Sequence, residues 1–398
     1  MLDCQRHLFS LPQSVRYLNC AYMSPLLKSV EEAGIKGVQQ KRLPYQITGK
    51  DFFEVPRQTR QLFSMLINAP SPDSITLLPS VSYGMAIVNK NLDAKKGQNI
   101  VTVGSEFPSN VYAWKSKEKQ GVEIRFVQPP ETTDNAFIPD FDGEREYQSA
   151  RGARWNEEIL SAIDDNTVLV VLCPLHWADG TLFDLKIIGD AARSVGAMLV
   201  IDGTQAIGAM PFDVQIIRPD ALIAGSYKSM MGAYSIGCAY WGERFTDGEP
   251  LEETWMERKG SEDFRNLVHY QKDYTPGMNR FTMGEQSNFA LVPMLRAAIT
   301  QLLEWQPERV TEYCANLIAP LISFCKESDY WIEESHWRAQ HLFGIRIPAH
   351  LSFEKLQQEL SARNVFVSLR GDSIRVSPNV YNTQEDIFML IDALTASL

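Results

Sequence analysis

Through roughly the first three quarters of the chain, short aliphatic and β-branched runs alternate with longer amphipathic stretches. Ser74–Leu77, Asn99–Val103, Glu123–Phe126, Val168–Leu172, Ala197–Ile201, Ala221–Ala224 and Gly237–Tyr240 read as strands, and Lys186–Val195 as a helix between two of them. That alternation predicts an α/β fold: a three-layer sandwich with helices on both faces of a seven-stranded, mainly parallel sheet.

After about Leu291 the pattern changes. Helical runs Val292–Trp305 and Arg309–Ser328 precede shorter strand-like pieces, His341–Ile347 and Ser373–Val376, and a closing helix Gln384–Leu398. At 398 residues the chain exceeds the roughly 250–300 that one core usually serves. The expected division is a large domain, 17–290, and a smaller α+β domain, 291–398, joined by the N-terminal segment 1–16. Between Phe245 and Phe281, Pro250, Gly260, Pro276 and Gly277 interrupt the aromatic residues, which predicts an irregular segment over an active-site mouth or a subunit contact.

Composition narrows the function classes. Hydrophobic residues are 44% and charged residues 22%, the balance of an ordinary globular protein. No apolar run reaches the roughly 18–20 residues of a membrane span, and Met1–Ser10 has no signal-peptide core, so no membrane is expected and the expected location is cytoplasmic. The six cysteines are dispersed without a C-x-x-C pair, arguing for reduced thiols and against a zinc site; no metal is expected. A net charge of −11 without a Lys/Arg block argues against nucleic acid and for small-molecule chemistry.

Two motifs carry that chemistry. Ala197–Met198–Leu199–Val200–Ile201 runs into Asp202, and 26 positions later Ala224–Gly225–Ser226–Tyr227 runs into Lys228. Ligands of open α/β sheets sit beyond the carboxyl ends of the strands, so both side chains are expected in one crevice. A lysine amine and a carboxylate there suit pyridoxal 5′-phosphate, which needs one for its aldehyde and the other for its ring nitrogen. Taken singly, Asp202 reads equally as a helix cap and Lys228 as a solvated loop residue. Upstream, Leu77–Gly84 leads a strand into a helix whose N-terminus, with Ser82, could bind phosphate. Ser105–Asn110 brings Phe107 to the same sheet edge, where a ring could stack on a heterocycle. A nucleotide-dependent enzyme is disfavoured, because no G-x-x-x-x-G-K-[ST] or G-x-G-x-x-G loop occurs.

This ordered set resembles the class V aminotransferase family of fold-type I pyridoxal-phosphate enzymes, with its kynureninase and cysteine desulfurase relatives, over nearly the whole chain from Tyr17–Leu18–Asn19 to Tyr381–Asn382–Thr383. The resemblance implies that Lys228 is the Schiff-base lysine, Asp202 holds the pyridine nitrogen, Gln205 the phenolic oxygen, and Phe107 stacks on the ring. It implies a phosphate site of Ser82, the Val81 backbone and Tyr227, with Ser226 a lesser candidate. Gly284–Glu285–Gln286–Ser287–Asn288 is similar to the segment that reaches a neighbour's phosphate in a homodimer; Glu285 stands where relatives have Thr, so that contact passes to Gln286 or Ser287. Ile374–Thr383 matches the region of the carboxylate-binding arginine, which makes Arg375 the substrate residue and Arg370 a second candidate. His176 is a candidate proton carrier. It shares the expected pocket with Trp177 and Tyr22, and with Trp255 and Arg258.

Val365–Ile374 contains no cysteine, whereas desulfurases of the family carry one shortly before that arginine, so persulfide-forming sulfur transfer is disfavoured. The leading reading is an aminotransferase acting on an amino acid and a 2-oxo acid. Kynureninase-like or selenocysteine-lyase-like Cβ cleavage and epimerisation are the alternatives. A non-catalytic cofactor-binding sensor ranks below them, since such regulators carry an additional DNA-binding domain.

Overall fold

The computed structural model describes residues 2–131 and 150–398. Its first strand, β1 (Arg16–Tyr17), lies outside the main sheet. The seven strands read from the sequence are β2 (Ile75–Leu78), β3 (Asn99–Val103), β4 (Glu123–Val127), β5 (Thr167–Leu172), β6 (Met198–Asp202), β7 (Ala221–Gly225) and β8 (Gly237–Trp241), each end within one residue of the expected position. They form one sheet in the order β2-β8-β7-β6-β5-β3-β4. Only β8 opposes the common direction, pairing antiparallel with both β2 and β7, so the sheet is mainly parallel as expected.

The three layers follow from alternation along these strands. Val101, Val170, Leu172, Leu199, Ile201 and Leu222 point into one core. There they meet Phe63, Trp155, Ile188 and Leu295 from helices Glu54–Leu66, Arg151–Ala162, Leu185–Ser194 and Leu291–Trp305. Ile100, Leu169, Val171, Val200 and Ile223 point into the opposite core, covered by Met85, Ile87 and Val88 of helix Val81–Asn91. Each of these fully buried aliphatic chains contributes at most about 1.5–3 kcal/mol.

Beyond the large sheet lie β9 (Trp331–Ile332), β10 (Phe343–Arg346), β11 (Val365–Phe366), β12 (Ser368–Arg370) and β13 (Ser373–Val376), of which four form an antiparallel sheet in the order β12-β13-β10-β9. The cores divide later than the boundary expected at residue 291. The buried residues of helix Leu291–Trp305 all lie in the first core, and helix Pro307–Lys326 spans both cores, Val310 and Cys314 facing the first and Leu317, Ile318 and Leu321 the second. The N-terminal segment bridges the two: Leu2 and Phe9 are buried in the first core, while β1 pairs parallel with β11 and Leu18 is buried in the second. From there the chain crosses to the large sheet, where the Ala21 carbonyl accepts from Gln205 and the Ser24 N–H donates to the Tyr227 carbonyl.

Among the described residues no helix is long and apolar enough to cross a membrane. The irregular segment Phe245–Phe281 is short turns, with Val268 and Tyr270 largely exposed.

Candidate active site

A cleft of about 220 Å³ opens at the carboxyl ends of β2, β5, β6 and β7, lined by Ser80 to Ser82, Phe107, Trp177, Asp202, Gln205, Tyr227 and Lys228. Eight residues expected from the sequence lie in it: Val81, Ser82, Phe107, Trp177, Asp202, Gln205, Tyr227 and Lys228.

The floor is set by the turns after β6 and β7. Asp202 ends β6 and accepts from the Thr204 N–H at 3.0 Å, while Thr204 Oγ1 accepts from the Gly225 N–H at the end of β7, also at 3.0 Å. The two strands pair directly, with Asp202 opposite Ile223. Lys228 follows in a turn held by Ser226, whose hydroxyl donates to the Ala233 carbonyl at 2.6 Å. Its Nζ lies 5.1 Å from the centre of the Phe107 ring and 5.3 Å from that of Tyr227. Burial pushes this amine down to about 8 against the pull of Asp202, and the fields of Arg375 and Arg370 act in the same direction as burial. The amine is therefore a usable nucleophile near neutral pH.

On one side stands the N-terminus of helix Val81–Asn91. Ser80 caps it, accepting from the Tyr83 N–H, and the N–H groups of Val81 and Ser82 lie before the helical ladder begins. Gly84 lets this helix lie close to the sheet, because a Cβ there would fall 2.8 Å from Ile223. An uncrowded helix start with two serines is a ready anion cradle. Tyr227 borders it, and burial raises its phenol to about 12, which keeps the hydroxyl a donor.

The opposite side turns on Trp177. Its indole donates to the Ser105 carbonyl at 2.7 Å, meets Phe107 edge-on at 5.5 Å, and lies 5.7 Å from the Arg375 guanidinium. Ser105 holds a left-handed φ of 55°, a strained conformation for serine that aims this carbonyl. Arg375 is 1% exposed; its Nη1 donates to the Trp177 carbonyl at 2.9 Å, and its Nε is buried without a partner. Among the described residues no carboxylate pairs with it, and burial, aided by Arg370, pushes it down to about 10, still cationic at neutral pH. A buried unpaired guanidinium is costly unless an anion completes it.

Several expected residues lie elsewhere. His176 is beneath the cleft, its Nδ1 3.0 Å from Asp179 and its Nε2 3.3 Å from the Ser105 carbonyl. Burial would lower its pKa, but Asp179 and Glu106 overcome this and raise it. Asp179 is itself held well below the ordinary carboxylate range, against burial, by His176 and Arg151. Both ring nitrogens thus serve the network under Trp177. The Ser226 hydroxyl is committed to its own turn. Gln286 is buried with its amide on Glu257 of the same chain, and Ser287 faces Met256, away from this cleft. Glu285 is exposed with φ 54°. Tyr22 is 59% exposed outside the lining. Trp255 packs on Phe53 and Phe264, and Arg258 on Glu253 and Tyr274.

Three residues went unnoticed in the sequence. Glu106 is buried under the cleft; one carboxylate oxygen accepts from the Phe107 N–H and from Cys173, and desolvation raises its pKa. Cys173 lines the cleft, but burial and Glu106 hold it well above the ordinary thiol range, so it stays a neutral thiol. His341 Nε2 lies 2.6 Å from the Gln205 carbonyl, and burial pushes it down to about 4, so the neutral ring donates there and orients Gln205. Among the described residues no group of three His, Cys, Asp or Glu side chains could hold a metal ion.

Comparison with known proteins agrees with this geometry. Residues 44–141 and 145–390 match the model of the family aminotransferase class-V. Over 393 residues, 98% of this chain and 96% of the other, the chain is 24% identical to the Bacillus subtilis (strain 168) protein named uncharacterized aminotransferase YcbU. Among solved structures it is similar to the apo cysteine desulfurase of Thermococcus onnurineus NA1, with a TM-score of 0.78 and 19% identity over 99% of this chain and 98% of that one. It is also similar in fold to C-DES with glycine covalently linked to its PLP cofactor, with a TM-score of 0.80 and 19% identity over 98% of both chains.

Proposed function

This chain belongs to the aminotransferase class-V family, and from that premise we propose that it is a pyridoxal-phosphate enzyme that moves the amino group of an amino acid to a 2-oxo acid. The observation that carries the reading is the desolvated Lys228 amine beside Asp202, at the ends of paired strands and under the Phe107 ring.

The residues present fit the cofactor. Asp202 would face its ring nitrogen, Phe107 its ring, and the Val81 and Ser82 N–H groups with Tyr227 its phosphate. Gln205, whose Oε1 is buried without a protein partner, would accept from its phenolic O–H. Bound there, pyridoxal phosphate supplies an electron sink conjugated to the substrate α-carbon. Arg375 orients the amino acid by its α-carboxylate with a planar fork. Lys228 Nζ, on the floor, is the group that takes and returns the α-proton. Trp177 and Phe107 close the side of the cleft against water.

Two features support amino transfer over sulfur transfer. The β12–β13 connection, where desulfurases of the family carry a nucleophilic cysteine, is a two-residue turn of Gly371 and Asp372. Cys173 is a buried neutral thiol. The test is the visible absorbance of the protein with pyridoxal phosphate, before and after single L-amino acids. Bleaching by one amino acid and recovery with a 2-oxo acid is the expected result. A persistent band with release of ammonia or a cleaved side-chain product would replace the reading with a lyase. We also propose a homodimer, as the resemblance implies, to be checked by sedimentation.

A further inference from the structure

The hairpin above the cleft carries more positive charge than one α-carboxylate requires. In the β12–β13 register Ser368 lies opposite Arg375 and Arg370 opposite Ser373. Alternation along each strand puts Leu369 and Ile374 on the face toward the small core, and sends Arg370 and Arg375 together to the other face. There the two guanidiniums approach the same indole, 5.4 Å and 5.7 Å from the centre of the Trp177 ring. Like charges on neighbouring positions of one sheet face repel.

Nothing among the described residues neutralises them. Among the described residues neither arginine has a carboxylate within ion-pair distance. Asp372, in the turn between them, pairs with Arg346 at 3.1 Å, and Asp179 is taken by Arg151 and His176. Arg370 Nη1 reaches only the neighbouring Leu369 carbonyl, and the Nε atoms of both arginines are buried without partners. Both fields are felt at Lys228, so both charges act on the space over the reacting amine.

We propose that the substrate is an amino acid with a second acidic group at the end of its side chain, Arg375 receiving the α-carboxylate and Arg370 the second anion across the Trp177 face. This rests on the reading of the cleft as an amino-acid site. An amide or aliphatic side chain of equal length would leave Arg370 unpaired, so discrimination would come from that one ion pair.

The test uses two unreactive acids, succinate and butyrate, titrated calorimetrically into the purified full-length protein and its R370A and R370Q variants, with melting temperatures as the check on folding. Succinate is expected to bind about 10-fold or more tighter than butyrate to the parent protein. In either variant succinate should fall to the level of butyrate, with butyrate unchanged. Equal affinity for the two acids in the parent protein, or equal loss of both in the variants, overturns the proposal; the second result would mean that both arginines serve one carboxylate. The companion measurement is bleaching of the visible band by L-glutamate or L-aspartate against L-glutamine or L-asparagine. If no band forms with pyridoxal phosphate, the cofactor reading fails, while the succinate and butyrate affinities still decide the role of Arg370.

Discussion

The floor and the wall of the cleft are built on opposite principles. On the floor, backbone groups and short side chains fix one another: Thr204 ties the ends of β6 and β7, Ser226 closes the lysine turn, and His341 orients Gln205. Behind the wall, Arg370 and Arg375 crowd the indole of Trp177, which lines it, with buried nitrogens unmet. A floor braced in this way suits a group that is always held in one pose. An uncompensated wall suits a ligand that arrives and leaves, because the anion relieves a cost already present in the fold.

Substitutions should separate the two. Lys228→Ala, on the floor, is expected to remove the visible band and lower turnover by about 10⁴-fold; a variant keeping both would show that another amine is used. Asp202→Asn should leave the cofactor bound and lower kcat by about 100-fold, since the charge opposite the ring nitrogen is lost; unchanged kcat would detach Asp202 from the chemistry. Arg375→Ala, on the wall, should raise KM for the amino acid by about 10–100-fold with the band intact. Loss of the cofactor in that variant would erase the distinction between wall and floor.

Smaller effects sharpen the same contrast. Lys228 titrates at about 8, and only its neutral form attacks an aldehyde. Stopped-flow capture of pyridoxal phosphate by cofactor-free protein should therefore quicken roughly tenfold per pH unit below about 8 and level off above it. An inflection near the ordinary lysine value of 10.5 would mean that burial does not tune the amine. Ser226→Ala should cost about 1 kcal/mol in a thermal melt and leave cofactor affinity unchanged. Weakened cofactor binding would instead return Ser226 to the phosphate site.

The floor was legible in the sequence because its signals are local. An apolar run ending in Asp202 or leading to Lys228 states both the strand and the side chain delivered at its end. The wall was only half legible. Arg375 came from a motif and Arg370 was noted beside it, but the register that places both on one face depends on a two-residue turn that short strands barely announce. Glu106 and His341 look like surface residues in one dimension; only the packing of Cys173 over the first, and of the Gln205 turn against the second, buries them. His176 failed to reach the cleft for the converse reason, since Asp179, three residues on, captures its ring. Gln286, expected to reach a neighbour's phosphate, has its amide on Glu257 within the chain.

The parallel pairing of Arg16–Tyr17 with Val365–Phe366 sets a timetable for biogenesis. Tyr17 leaves the ribosome roughly 17–70 s before its partner, at roughly 5–20 residues per second. Through that interval Leu18 has no core to enter, and the span Ala21–Ser24, which braces Gln205 and Tyr227, has no anchor at its other end. The large sheet can therefore assemble during synthesis, whereas the strap across the lysine floor closes only once the last strands have been made, so a nascent chain would acquire its sheet well before that brace.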